Sequence, residues 1–334
     1  MTTLIGALIV FMLVVLLHEL GHFTVAKLVG IKVNEFSIGM GPKLFQKEKG
    51  ETKYSLRLLP IGGYVAMEGE EEGSNDPRSF GNVSVLKRMA VVLAGAFMNF
   101  ILAIVAFFIV ALFIGSPTNK VGFIVEDSPA YISEIKLDDE IVAVNGVKVS
   151  NWQDTLNNIS NAKDENIDLT IKRENKDLNI IIKADLKEDG YKIGIGSKNE
   201  KSLTNAFSAA LINTWVIVKS IFSVFKLIFS GNFNMNMLAG PVGVVSMIGQ
   251  ETSKGAIYLI NILGVISANL GVVNLLPIPA LDGGKFIFLL IEAIRKKPIS
   301  EKVESTLSYV GFSLLIGLML YVTIFGDLAR IFGR

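Results

Sequence analysis

The sequence predicts an α-helical membrane protein with four transmembrane helices, a membrane-associated β-hairpin and an inserted mixed α/β domain. Three observations carry that expectation. Hydrophobic residues make up 51% of the chain and charged ones only 19%, below the about 25% of a soluble domain. Four stretches, about 4–29, 88–115, 256–278 and 305–326, are apolar over a spanning length, for which about 20 residues are needed. Between the second and third, the composition turns water-soluble: residues 118–200 hold 16 Asp or Glu against 11 Lys or Arg. A wholly soluble enzyme, a disordered chain and collagen are thereby excluded. The 32 basic and 31 acidic residues leave no excess for a polyanion, so no nucleic-acid partner is expected. Without cysteine there is no disulfide, thiolate ligand or thiol nucleophile.

Residues 1–30 read as the first transmembrane helix. They lack a positive n-region and an Ala-x-Ala-like cleavage site, so a retained span is expected and not a signal peptide. Residues 31–87 are glycine-punctuated. Within them Thr52–Leu59 followed by Pro60-Ile61-Gly62-Gly63-Tyr64-Val65 reads as a hairpin apolar enough to dip into the bilayer. Non-helical backbone is tolerated there only where protein or water satisfies it. The acidic run Glu68–Glu72 reads as a solvated loop. Residues 88–116 are the second span.

The insert, residues 117–200, carries β-branched runs at Val121–Val125, Glu140–Val144, Ile167–Lys172 and Leu178–Lys183. Turns are marked by Asn145-Gly146 and Asp189-Gly190. Residues 201–255 contain a helix with Lys219 and Lys226 on one face. Leu211, Trp215, Val218, Phe222, Phe225 and Phe229 line the other. That amphipathic pattern fits a helix lying on the membrane surface. Residues 256–294 form the third transmembrane segment, interrupted by Pro277 and Pro279, and 303–334 the fourth.

Lys and Arg placement orients the spans. The stretch between the first two spans carries Lys27, Lys32, Lys43, Lys47, Lys49, Lys53, Arg57, Lys87 and Arg88. The last connection carries Arg295, Lys296, Lys297 and Lys302. Both are expected to be cytoplasmic, which puts the N-terminus, the insert and the C-terminus outside.

The chain has only two histidines, His18 and His22, in His18-Glu19-Leu20-Gly21-His22. A spacing of four on a helix stacks both imidazoles on one face, where they can ligate one metal ion. Glu19 stands beside the first and is placed to accept a proton from an attacking water. The uncharged run Leu4–Leu17 precedes the motif, so it lies about 21 Å along the span at about 1.5 Å per residue. Ionisable groups at that depth are functional by default. A zinc site with two histidines needs at least one more protein ligand, and with no other histidine or cysteine that ligand must be a carboxylate. Asp282, in Asn274-Leu-Leu-Pro-Ile-Pro-Ala-Leu-Asp282-Gly283-Gly284, is the outstanding one in a membrane segment. Read alone, Asp-Gly-Gly is only a turn leaving the membrane; after the histidine motif it is a ligand candidate. Asn269 and Asn274 lie on the approach to the break. They either glue helices together or hold a substrate carbonyl and its oxyanion. Asn99 in Gly95-Ala-Phe-Met-Asn99 has a weaker claim, close packing against the first span being an equal reading.

Together these residues resemble the site-2 protease family of intramembrane zinc metalloproteases, in particular the bacterial group containing the regulator of sigma-E protease. The resemblance runs through His18–His22, Gly62-Gly63-Tyr64, Gly240-Pro241-Val242-Gly243 and Asn269–Gly284. It implies that His18, His22 and Asp282 bind one Zn2+ per chain and that Glu19 is the general base. It implies substrate handling by Asn269 and Asn274. It also implies that the 54–65 hairpin, with Tyr54, Gly62, Gly63 and Tyr64, takes an unwound substrate segment as an added strand. The insert looks like a single PDZ domain, so the implied fold carries an inserted mixed α/β PDZ-like domain. Its usual Gly-Leu-x-x-Gly-Asp stretch reads Glu134-Ile-Lys-Leu-Asp-Asp139 here, which leaves a steric filter as its implied role. The implied activity is regulated intramembrane proteolysis in a bacterial plasma membrane, acting on single-span proteins such as anti-sigma factors or remnant signal peptides. An upstream protease supplying pre-cleaved substrate is left open. The alternatives are a metal transporter, disfavoured because no repeated half is present, and a non-catalytic PDZ scaffold, which would not need Glu19. A protease of soluble peptides is disfavoured by a third ligand within a span.

Overall fold

The computed structural model describes residues 2–70, 73–188, 190–231 and 238–332. Glu71 and Glu72 of the acidic run, Asp189 of the second turn and the side chains of Phe225 and Phe229 lie outside this set. The chain forms two compact units, Met1–Phe107 with Ala210–Arg334, and Phe108–Ala209.

In the first unit, α1 (Thr2–Val29) is uninterrupted because no proline or capping residue falls within its apolar run. It stops at Gly30, whose φ of +87° is a left-handed helix exit. Two strands follow, β1 (Val33–Lys49) and β2 (Thr52–Met67), with the reversal at Gly50-Glu51. Their register uses β1 twice. Lys43–Lys49 pairs with Thr52–Arg57, while Glu35–Ile38 lies beside Lys53–Leu56 on one side and Gly63–Ala66 on the other. The spatial order is therefore 63–67, 33–38, 52–57, 43–49. This corrects the hairpin read at Thr52–Val65, whose two halves do not pair with each other. Pro60 has no N–H to give a ladder, and Gly62 at φ +82° carries the chain across the sheet instead of back along itself.

The loop after β2 is tied down by Glu68, which accepts from Ser74 Oγ (2.6 Å) and Asn34 Nδ2 (2.9 Å) and faces Lys32 Nζ at 3.2 Å. These partners hold its carboxyl down to about 2. The tie therefore persists throughout the neutral range and is lost only as pH falls from the ordinary carboxylate range toward 2.

Helix α2 (Val85–Ile114) follows, and α5 (Leu203–Phe229), α6 (Pro241–Lys254), α7 (Ala256–Asn274), α8 (Asp282–Arg295) and α9 (Glu301–Val322) come after the insert. Among the described residues, five helices are by length and composition apolar enough to cross a membrane, Thr3–Val29, Val85–Ile114, Leu203–Val224, Ala256–Asn274 and Glu301–Leu328. That is one more than the four expected, the addition being the segment read as interfacial. Its stripe Leu211, Trp215, Val218 and Phe222 borders an apolar cavity of about 470 Å³ with α2 and the end of α7.

Lipid tails are as apolar as leucine, so helices in a membrane associate by close packing. Gly21 of α1 meets the Ala94 carbonyl of α2 so closely that a Cβ there would stand 2.4 Å from its oxygen. The early half of α1 (Ala7, Val10, Val14) packs on α6 and α7 through Ile248, Ile262 and Leu263. Its later part packs through Ala26 on Val33, Met67, Val91, Val92 and Leu289. After α9 a π-helical turn, Thr323–Leu328, carries buried Asp327. This carboxylate accepts from the Gly240 N–H (3.0 Å) and the Gly243 N–H (2.8 Å), capping α6.

In the second unit, β3 (Ser116–Ile124), β4 (Glu140–Val144), β6 (Asn166–Arg173), β7 (Lys176–Lys183) and β10 (Ile195–Glu200) form a sheet ordered β10-β3-β4-β6-β7. A short strand β5 (Val147–Lys148) adds to β4, and β8 (Asp185–Lys187) pairs with β9 (Gly190–Lys192). Alternation buries Ile167, Leu169 and Ile171 of β6 on one face. A short helix α3 (Pro129–Ile132) and the longer α4 (Trp152–Ser160) complete the unit; Asn151 caps α4 by accepting from Asp154 N–H at 2.9 Å. The departure at Glu134–Asp139 has a local explanation. Asp138 adopts the left-handed φ of +69° that a glycine would favour, and Asp139 is buried, accepting from Lys136 N–H and Arg173 Nε, both at 2.7 Å.

Candidate metal centre

The single turn of α1 from His18 to His22 sets the two rings at 86° to one another with centroids 4.7 Å apart. Their Nε2 atoms are 3.1 Å apart. Asp282, 264 positions along from His18, enters as the first residue of α8, and its Oδ2 lies 3.3 Å from His18 Nε2 and 3.5 Å from His22 Nε2. Tetrahedral donors at about 2.0–2.1 Å from zinc stand about 3.3–3.4 Å from each other, so the triangle has the right edges for one ion. The three side chains are only 10%, 12% and 22% exposed. Among the described residues, Asp282 Oδ2 is buried without a hydrogen-bond partner, an acceptor that folding would not orphan at no gain. The residues therefore fit a bound cation.

The outer nitrogens are held from α2 and α7. His22 Nδ1–H donates to the Val91 carbonyl at 2.8 Å, which leaves its Nε2 lone pair facing Asp282. Asn99 is fully buried with its amide 3.2 Å from His18 Nδ1, and its Oδ1 has no hydrogen-bond partner among the described residues. Half a turn of that amide brings Oδ1 to an Nδ1–H, satisfying the oxygen and freeing Nε2 on the metal side. Ser267 Oγ donates to the Asn99 carbonyl at 2.8 Å, pinning α7 to α2 at this level.

Of the remaining candidates, Asn274 Nδ2 lies 3.4 Å from His18 Nδ1. Asn269 donates instead to Val265 O of its own helix at 2.8 Å. Glu19 faces the sheet: a Cβ on Gly63 would stand 3.6 Å from its Cγ. Tyr64 takes a hydrogen bond on its hydroxyl from Arg57 at 2.5 Å, and Tyr54 packs on Phe23 and Phe36 at 6.0 and 6.4 Å. Gly62 has Met40 side-chain atoms as its neighbours. The structure thus gathers His18, His22, Asp282, Asn274 and Asn99 in one place, with Glu19 and Gly63 alongside. Asn99 ranked below Asn269 in the sequence; its partner Gly95, four residues earlier on the same helix face, was the available signal.

Gly95 is the floor of the centre. A Cβ there would meet His22 Nε2 at 2.4 Å and His18 Cε1 at 2.6 Å. Gly95→Ala is therefore expected to lower zinc affinity by at least about tenfold, a ligand-displacement effect at the lower end of outer-shell losses. Zinc per chain after dialysis against a graded chelator measures it; parental retention would contradict the cradle.

Comparison with known proteins agrees with this geometry. Residues 6–318 match the model for peptidase family M50. A putative zinc metalloprotease of Clostridium acetobutylicum is 40% identical over 322 residues, covering 95% of each chain. The regulator of sigma-W protease RasP of Bacillus subtilis is 32% identical and covers 99% of each. Among solved structures, the PDZ domain of an SdrC-like protein of Listeria innocua is 24% identical over 26% of this chain and 96% of its own, with a TM-score of 0.22. The family match spans every residue that converges on the triangle, and the protein accordingly belongs to peptidase family M50 and is a zinc metalloprotease.

Proposed function

We propose that the chain hydrolyses peptide bonds within or next to the membrane helices of single-span proteins, with His18, His22 and Asp282 as zinc ligands and Glu19 as general base. The observation that supports this reading best is the convergence of those three donors, with Glu19 beside them, on a helix whose preceding residues Leu4–Leu17 are uncharged. A peptidase centre on such a helix meets substrates that are themselves in the bilayer.

When bound, the zinc polarises the scissile carbonyl and acidifies water. Glu19 accepts the proton of the water whose oxygen attacks the carbonyl carbon, and returns it to the amine as the C–N bond breaks. His22, held by Val91, and His18, held by Asn99, keep their inner nitrogens directed at one point. Asn274 and Asn269 are assigned to the substrate carbonyl and its oxyanion. A helical substrate hides its carbonyls in its own hydrogen bonds, so it must first unwind. Residues 63–67 form an outer strand of the sheet next to Glu19, and an added strand there supplies replacement backbone bonds.

Topologically we assign the segments of residues 1–30, 88–116, 256–294 and 303–334 to the membrane. Residues 31–87 then form the cytoplasmic membrane-associated region, 117–200 an extracytoplasmic PDZ-like filter, and 201–255 an interfacial helix with its loop. The protein sits in a bacterial plasma membrane with the active site near the cytoplasmic side. Anti-sigma factors and remnant signal peptides are the substrate classes this arrangement suits, with or without an upstream protease.

The test uses purified full chain in detergent and one scissile sequence presented in two ways, inside a single-span substrate and as a soluble peptide. Chelator-sensitive cleavage of the first, much faster than of the second, is the expected result. Preference for the soluble peptide, or zinc binding without cleavage of either, would overturn the reading.

A further inference from the structure

The two histidines share one continuous helix, but Asp282 reaches them from the far side of a break. Its helix has no side-chain cap at Leu281 and follows the irregular stretch 275–281, where Ala280 is at φ +84°. The carboxylate is therefore placed by α8 as a body. A carboxylate stands about 5–6 Å from a helix axis, so turning α8 by about 20° moves it about 2 Å, against a tolerance of about 0.2 Å in ligand distances. Apolar contacts alone, here Phe286 and Leu289 against Met67, Phe80, Val91 and Val92, tolerate such sliding.

Two ion pairs remove that freedom. Near the end of α8, Glu292 accepts a two-pronged bond from Arg88 of α2, with Nη1 to Oε2 at 3.0 Å and Nη2 to Oε1 at 2.5 Å. The two side chains are 10% and 14% exposed. Near its start, Lys285 donates to Glu70 at 2.5 Å and stands 4.8 Å over the Phe80 ring. At 100° per residue, positions 282, 285, 289 and 292 fall within an arc of about 80°, so both pairs grip the face that carries Asp282. A planar guanidinium fork fixes an angle as well as a distance. Glu70 also ties α8 to the loop that leaves β2, three residues beyond Met67.

We infer that Arg88–Glu292 and Glu70–Lys285 are positioning pairs that set the rotation and axial register of α8, and so the approach of Asp282 to the two histidines. This rests on Asp282 being the third ligand. Buried ion pairs replaced by apolar residues of similar volume often keep their stability, so register and stability can be separated.

The experiment measures the zinc dissociation constant of the full chain in detergent, by chelator competition, beside the thermal midpoint of the metal-free protein. R88M/E292L and E70L/K285M are expected to bind zinc about tenfold more weakly with little change in midpoint, both partners of each pair being replaced. The exchanged pair E70K/K285E, which does not depend on a buried substitution folding, is expected to recover most of the E70L/K285M loss. Parental affinity in R88M/E292L and E70L/K285M, or affinity that falls only in step with the midpoint, would overturn the proposal. Asp282→Ala serves as the reference. Lost affinity there with parental affinity in the pair variants removes the clamp alone, whereas parental affinity in Asp282→Ala removes the ligand reading and the clamp with it.

Discussion

Glu19→Gln should abolish cleavage while the zinc stays bound. Glutamine keeps the shape of the side chain but cannot accept a proton from water at neutral pH. Glu19 is also not one of the three groups whose donor atoms converge. General acid–base catalysis is worth about 10²–10⁴-fold. Here the same carboxyl serves both the attack and the departure of the amine, so a loss of at least about 10³-fold in kcat is expected, or about 4 kcal/mol of barrier. The measurement pairs initial rates on a single-span substrate with zinc per chain. A variant that retained a tenth of the parental rate would remove Glu19 from the role of base. Loss of zinc together with activity would make it a ligand instead.

Asp282→Ala should empty the centre. Two imidazoles with Nε2 atoms 3.1 Å apart remain, but the anionic donor is gone, and with it the neutralising charge opposite them. Losing an outer-shell partner already costs about 10–100-fold in metal affinity, so deleting the ligand itself is expected to cost more than about 100-fold. Zinc content after gel filtration and the rate on the same substrate should fall together. Full zinc content in this variant would mean that another group completes the site.

The contrast between these two positions shows what the sequence could reveal. His18, Glu19 and His22 were legible because charged or ligating groups inside an apolar helix are costly, and four-residue spacing fixes their common face whatever else the fold does. Asp282 was legible by elimination, as a carboxylate in an interrupted span of a chain with no further histidine or cysteine. Contacts between distant elements were harder to read. Arg88 counts in the sequence only as one more cytoplasmic charge, since nothing local pairs it with Glu292, 204 residues on. Asn99 and Asn269 are both amides in apolar helices; only the rotation of α2 and α7 about their axes turns the first toward His18 and leaves the second on its own helix. The sheet was misread because the polar run Lys43–Lys53 hid a strand and its turn, while Pro60–Gly63 carried the conspicuous turn residues. The stretch 203–230 was ambiguous on composition and yields a fifth helix of spanning length, Leu203–Val224, in which the single lysine, Lys219, does not bring the hydropathy below that of a membrane helix.

The strand order 63–67, 33–38, 52–57, 43–49 also dictates a sequence in time. The segments 43–49 and 52–57 are joined by two residues and can close as a hairpin within about 1–10 μs. The strand 63–67 has a place only after 33–38 has docked on that hairpin, and it has a ladder partner on one side alone. It is thus the last strand of the four that can be laid down. On refolding, β-structure would be recovered before the strand beside Glu19 is seated, so the spectroscopic signal of the sheet would return ahead of proteolytic competence.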